Sequence, residues 1–271
     1  MNPHQVSTIA VANAKGGAGK TSVAVHLAAG LARAGQRVLL VDLDTQANAT
    51  GWLLPPLAST AAGVAEVLAR GVPLASVMFE VADRPGLWVA PSTPALAGLD
   101  LALANEVGGE TLLASALGQV ADRFDLVVLD CPPSLGLSVV SALFAAQWLL
   151  SPVPASFLAL SGLRRLEDTL RRINERLNAR TQVLGFVLFD VDAREAISAE
   201  ARGLLEPTGK LFKAEVRTSA AAKSLPGHRL TAWDPGADPR GLEDYTALVA
   251  EVQRRMTPGK ARGRGAHGGE A

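Results

Sequence analysis

Short apolar runs alternate along the chain with segments whose apolar residues recur every three or four positions. Residues 6–12 (VSTIAVA) form a β-branched run that predicts a strand. In residues 21–35 (TSVAVHLAAGLARAG), Val23, Leu27, Leu31 and Ala34 share one helical face, and Gly35 follows as a C-cap. Residues 36–44 (QRVLLVDLD) are continuously apolar until two aspartates close them, with the strand at 38–42. Such runs suit parallel strands covered on both faces. Short helices are predicted at 63–71, 95–106 and 111–124, and a strand at 87–92. Residues 125–134 (DLVVLDCPPS) read as a buried strand that ends in an acid and then proline, and residues 147–156 contain a further strand. In residues 160–177, Leu160, Leu163, Leu166, Leu170, Ile173 and Leu177 make one stripe, and Arg164, Arg165, Arg171, Arg172 and Arg176 lie mostly off it. A strand at 181–190, a helix at 193–207, a strand at 209–216 and a helix at 241–256 complete the pattern. Alternating strands and helices predict an α/β fold with a mainly parallel, twisted sheet flanked by helices. No repeat and no linker-like stretch divides residues 1–256, so one domain is expected there. Residues 257–271 lack apolar side chains to bury and are expected to be a disordered basic tail.

Composition narrows the function classes. Of 271 residues, 48% are hydrophobic and 19% charged, which is a globular balance. The single cysteine, Cys131, excludes an intramolecular disulfide framework. It also excludes a cysteine-held iron–sulfur cluster unless several chains contribute. The opening residues lack a basic stretch followed by an apolar one, and no uninterrupted apolar run approaches a membrane span of about 18 residues. The expectation is a soluble, cytoplasmic protein. Lys plus Arg and Asp plus Glu both total 26, yet the halves differ. Residues 1–150 hold seven basic and eleven acidic side chains, and residues 151–271 hold nineteen and fifteen. Ordinary solvated helix faces account for such a bias, as does a C-terminal half that touches polyanions.

One segment carries chemistry. Ala14-Lys15-Gly16-Gly17-Ala18-Gly19-Lys20-Thr21 lies between a predicted strand and a predicted helix, the setting a phosphate loop requires. Glycines let successive N–H groups point inward as an anion nest, and the following helix aims its positive end at the same place. Lys20 is placed to reach β- and γ-phosphates, and the Thr21 hydroxyl is the expected Mg²⁺ ligand. The nucleotide-binding candidates are therefore Lys15, Gly16, Gly17, Ala18, Gly19, Lys20, Thr21 and Ser22, with Mg²⁺ beside a nucleoside triphosphate. The usual G-x-x-x-x-G-K-[ST] spacing puts its first glycine where Ala14 stands, and Lys15 adds a second lysine. Two lysines of one chain reach one γ-phosphate with difficulty. A second chain facing the loop can deliver Lys15 across an interface, as an arginine finger is delivered.

These motifs, with VLLVDLDTQANAT and LVVLDCPPS downstream, resemble the deviant Walker A ATPases over about residues 6–256. ParA-type partition ATPases are the branch most resembled, and MinD is a relative. The resemblance implies a phosphate-loop NTPase fold and an ATP-dependent sandwich homodimer in which Lys15 contacts the partner's nucleotide. It also implies slow hydrolysis stimulated by a ParB-like activator or cargo adaptor. It makes Lys15, Lys20 and Asp44 the catalytic set, with Asp44 orienting the attacking water. Thr21, Asp130 and Asp44 become the metal set, and Asp42 a supporting neighbour of Mg²⁺ or of loop groups. It implies nonspecific binding of double-stranded DNA, and hence a nucleoid-associated location, with Arg194 and Arg217 matching the family's DNA arginines. Lys223, Arg202, Lys210, Lys213 and Arg229 are further candidates, and Asp190 is placed near the adenine. Two departures stand out. Glu215-Val216-Arg217 replaces a frequent proline-arginine pair, and no helix-turn-helix region precedes the loop. The tail lacks the apolar face of a MinD-type membrane helix, so no membrane contact is expected. The functional expectation is DNA segregation, of chromosome or plasmid. Positioning of a protein cargo or of division machinery is the alternative, ahead of a membrane-binding MinD-like ATPase or a metabolic phosphate-loop enzyme. Cys131 is expected to pack as a small buried residue.

Overall fold

A computed structural model describes residues 6–58, 61–103, 108–155 and 159–257. Among the described residues, eight strands form one sheet: β1 (Ser7–Val11), β2 (Val38–Asp42), β3 (Phe79–Glu80), β4 (Leu87–Ala90), β5 (Leu126–Asp130), β6 (Trp148–Pro154), β7 (Gln182–Val191) and β8 (Val216–Arg217). Their spatial order is β3-β4-β2-β5-β1-β6-β7-β8. Of these eight, only the two-residue edge strand β3 runs antiparallel to its neighbour, at β4. Parallel pairing needs crossovers, and the helices supply them. They are α1 (Lys20–Arg33), α2 (Asn48–Leu53), α3 (Val64–Arg70), α4 (Leu96–Leu103), α5 (Leu112–Gly118), α6 (Leu137–Ala145), α7 (Ala159–Leu177), α8 (Ala196–Leu205), α9 (Ala220–Ser224) and α10 (Pro239–Met256).

Alternate strand residues feed opposite faces, because successive side chains of a strand point to opposite sides. Ile9, Val11, Leu40 and Val128 pack with Val23, Leu27 and Leu31 of α1 and Leu248 and Val252 of α10. Ala10, Leu39, Val41 and Leu129 pack with side chains of α3 through α7, among them Val67, Leu113, Leu143 and Leu166. β2 and β5 are wholly buried, as expected for strands covered twice. The register sets Val11 opposite Asp130 and Asp42 opposite Asp130, so three strands deliver their carboxyl ends to one place.

The predicted strand at 209–216 is corrected. Only Val216 and Arg217 join the sheet there, beyond an isolated Phe186–Leu211 bridge. The backbone before them bonds instead to side chains of α10. The Glu251 carboxylate accepts the N–H groups of Lys213 and Ala214, and the Arg255 guanidinium donates to the carbonyls of Leu184, Lys210 and Leu211. Arg255 also lies over the Phe212 ring at 3.8 Å. The sequence reading also passed over α2, α6, α9 and β3, and extended α5 beyond Gly118. The expected disorder of 257–271 falls, from residue 258 onward, outside the described residues.

Candidate nucleotide-binding site

The phosphate loop leaves β1 and enters α1. Asn13 anchors its start: the buried side chain donates from Nδ2 to the Pro152 carbonyl at 2.7 Å and accepts the Lys15 N–H at 2.9 Å. Gly17 and Gly19 have φ of +70° and +83°, a region open to glycine at no steric cost. At Gly19 a side chain is excluded twice, because an added Cβ would sit 2.5 Å from ring carbons of Phe189. The helix ladder begins when the Val23 N–H bonds the Gly19 carbonyl at 2.8 Å. By helix geometry the N–H groups of Lys20, Thr21 and Ser22 have no intrahelical acceptor, which leaves them for an anion. The Ser22 hydroxyl turns away to Tyr245 Oη of α10, 2.7 Å distant. Ser22, grouped with the loop by position, thus offers the site its backbone rather than its side chain.

Lys20 is buried, and its Nζ donates to the Lys15 carbonyl at 3.3 Å. Burial lowers its pKa, and the carboxylates of Asp130 and Asp44 oppose that shift. Lys20 and Lys15 therefore belong to one closed turn of chain, the first holding the second by its backbone.

Asp130 and Asp44 act on this lysine, Asp42 stands beside them, and the three differ in what they hold. Asp42 is saturated: Oδ1 accepts the Asp44 N–H, while Oδ2 accepts the Thr50 N–H at 2.8 Å and the Thr50 hydroxyl at 2.7 Å. Burial pushes its pKa up to about 6 against those hydrogen bonds. Asp42 therefore shapes the turn and the start of α2. Asp44 accepts the Gln46 N–H at 3.0 Å, which fixes its carboxylate at the mouth of the site. Asp130 is fully buried, and its oxygens lack a well-formed hydrogen bond, the Thr21 hydroxyl being the donor turned toward them. Burial and then the neighbouring Asp42 raise its pKa well above the ordinary carboxylate range, with the Thr21 hydroxyl opposing. A buried carboxylate with lone pairs to spare, near Lys20 and Thr21, fits a hydrated divalent cation, which would satisfy the lone pairs and remove the penalty. Thr21 and Asp130 fit Mg²⁺ best, with Asp44 beside them. Cys131 is fully buried, its thiol pushed upward by burial, as expected of a packing residue.

The candidate DNA residues lie around β7 and β8, and four of them have acidic partners. Arg194 pairs with Asp192 at 2.6 Å, Arg202 with Glu215 at 2.7 Å, and Lys223 with Asp190 at 3.8 Å. Arg217 meets Asp244 at 2.7 Å and Glu243 at 2.9 Å, and its N–H also bonds Asp244. Asp190 takes a φ of +59° beside Phe189. Asn13, Phe189 and Tyr245 escaped the sequence reading. Asn13 is adjacent to the motif and was in reach, whereas the other two meet the loop only through tertiary packing.

The fold and the site together define a phosphate-loop nucleotide-binding protein. Residues 6–183 match the family model described as AAA domain. The chain is 34% identical over 262 residues to the chromosome partitioning protein ParA of Myxococcus xanthus, across 94% of this chain and 91% of that one. It is 36% identical over 254 residues to the chromosome-partitioning ATPase Soj of Thermus thermophilus, across 93% and 97%. Among solved structures, an ATP complex of a Cyanothece McdA variant superposes with a TM-score of 0.84 at 23% identity, covering 92% of this chain and 97% of that one. A Mycobacterium smegmatis cobyrinic acid a,c-diamide synthase with bound ADP and magnesium follows at 0.78 and 27%, covering 92% and 95%. The chain belongs to the ParA-type ATPases.

Proposed function

We propose that this chain is an ATP-driven partition switch, working as one ATPase domain over residues 1–256 with a basic tail. ATP binds along Lys15–Ser22, with the base toward Asp190. A second copy closes over the nucleotide and Lys15 crosses to the partner's γ-phosphate. Asp44 orients a water in line with the γ-phosphorus. The water's oxygen bonds to phosphorus as the bond to the ADP oxygen breaks, and Lys20 and the partner's Lys15 offset the charge that gathers on the phosphoryl oxygens. Bound Mg²⁺, held by Thr21 and Asp130, supplies further charge neutralisation. The observation that supports this reading is the fully buried Asp130 carboxylate, short of hydrogen bonds and set against Thr21 and the buried Lys20 of a loop with two lysines. The paired form binds double-stranded DNA without sequence preference, a ParB-like partner or cargo adaptor stimulates hydrolysis, and DNA is then released. This places the protein in the cytoplasm on the nucleoid. Among the described residues no helix is long and apolar enough to cross a membrane.

Positioning of division machinery is the second reading, favoured by 35% identity over 256 residues to the cell division protein PomZ of Myxococcus xanthus. Light scattering after size exclusion tests the switch. Asp44→Ala with ATP and Mg²⁺ is expected to elute as a persistent dimer, and the wild-type chain to return to monomer as ATP is consumed. A monomeric Asp44→Ala with ATP bound contradicts the scheme.

A further inference from the structure

Arg194, Arg202, Arg217 and Lys223, the cations assigned to DNA around β7 and β8, each already face a carboxylate. A phosphate must displace that partner before it gains the contact. The exposed face of α7 differs. Arg165, Arg172 and Arg176 stand at i, i+7 and i+11, which places them within about 40° of one another around the helix and roughly 10 Å and 6 Å apart along it. All three are exposed. Among the described residues none of them forms an ion pair, and Arg172 donates only to the Thr169 hydroxyl, at 3.3 Å. The neighbouring Arg171 is the one that engages Asp168, at 3.0 Å. Leu166, Leu170 and Ile173 are turned into the core, so the face carries these arginines together with the exposed Asp168 that Arg171 engages.

We propose that this arginine row is the principal phosphate-backbone contact of the chain, taking one strand of a DNA duplex along α7. The inference rests on the DNA-binding reading above and deepens it. Three observations select a nucleic-acid backbone. The cations form a straight row, as a line of phosphates does. A docked protein segment needs apolar anchors in pockets, and a lipid surface needs an apolar face to bury; the row has neither. The row also borders a groove of about 330 Å³ lined by Leu135 and Thr169, by Arg165, Arg171 and Arg172, and by the one carboxylate of Asp168. Leu135 lies in the loop that runs from Asp130 to α6, so a duplex on α7 abuts the segment that begins at the nucleotide site. That continuity gives DNA and nucleotide a shared element through which each can bias the other.

The test is fluorescence anisotropy of a labelled random-sequence duplex with the full chain, ATP and Mg²⁺, over a series of salt concentrations. Arg165→Gln/Arg172→Gln is expected to weaken binding at least tenfold for any sequence. Each lost phosphate contact lowers the slope of log affinity against log salt by about 1, so the fall is about 2 per protomer and about 4 for a dimer. Arg33→Gln/Arg70→Gln, which removes as much charge from the exposed ends of α1 and α3, is expected to leave that slope within about 1 of wild type. An unchanged slope in the α7 variant, with the wild-type chain binding normally, overturns the assignment and leaves the DNA reading standing. A wild-type chain that fails to bind DNA overturns the DNA reading itself, and this inference with it. Loss of binding to phosphatidylserine vesicles in the α7 variant, with DNA affinity retained, assigns the row to a lipid surface and also overturns it. Circular dichroism and ATP titration of each variant separate these outcomes from misfolding.

Discussion

Gly19→Ala tests the contact that shapes the phosphate loop. The new methyl would meet two obstacles, a φ of +83° and ring carbons of Phe189 at 2.5 Å. An alanine in the left-handed region costs roughly 1–2 kcal/mol. Moving the ring aside costs about 1–3 kcal/mol, the usual range for an overpacked core. The variant is therefore expected to lose about 2–5 kcal/mol, and each kcal/mol lowers the melting midpoint of a domain this size by about 2–4 °C. Phe189→Ala removes the second obstacle and leaves the first. Urea unfolding of the wild type, both single variants and the double variant closes a thermodynamic cycle. The expected coupling is about 1–3 kcal/mol in favour of the double variant, well above the ~0.5 kcal/mol scatter of independent sites. A coupling inside that scatter would show that ring and loop do not constrain each other, and the steric argument fails.

Two further perturbations address other parts of the chain. Lys20→Ala removes the buried ammonium of the phosphate loop and is expected to abolish ATP binding in calorimetry; near-normal affinity refutes its role. His26 is fully buried, stacked on Tyr245 with ring centroids 3.7 Å apart, and burial lowers its pKa from 6.5 to about 4. The unfolded chain therefore binds a proton between those two values that the folded chain refuses, and stability falls as pH drops through that window. The loss is about 2 kcal/mol by pH 5. His26→Phe keeps a stacked ring without the titration, so its stability difference between pH 7 and pH 5 is expected to shrink by that amount in denaturant melts. An unaltered difference refutes it.

What the sequence disclosed, and what it withheld, divides along chemical lines. The phosphate loop, Asp44 and Asp130 were legible because each is a polar signature at the end of an apolar strand, and the register then brought the strand ends together. α6 went unseen because LSVVSALFA is apolar nearly all round, and a buried helix without a polar face has no period to read. The segment 209–216 misled in the opposite sense. Its adjacent Leu211 and Phe212 between two lysines look like a strand, but Glu251 and Arg255, some forty residues on, take its backbone hydrogen bonds. Arg217 illustrates a third limit. Sequence offered a cation for DNA, whereas Asp244 and Glu243 show it already engaged within the fold. Pairing of side chains across long separations leaves no local trace.

The tyrosine that braces Ser22 is 223 residues downstream of it. The order of synthesis therefore matters to this chain. A growing polypeptide displays its phosphate loop early, while the helix that steadies it has yet to be translated. The loop gains its brace only after residue 245 has left the ribosome, so the start of α1 is steadied later than the strand and loop that precede it.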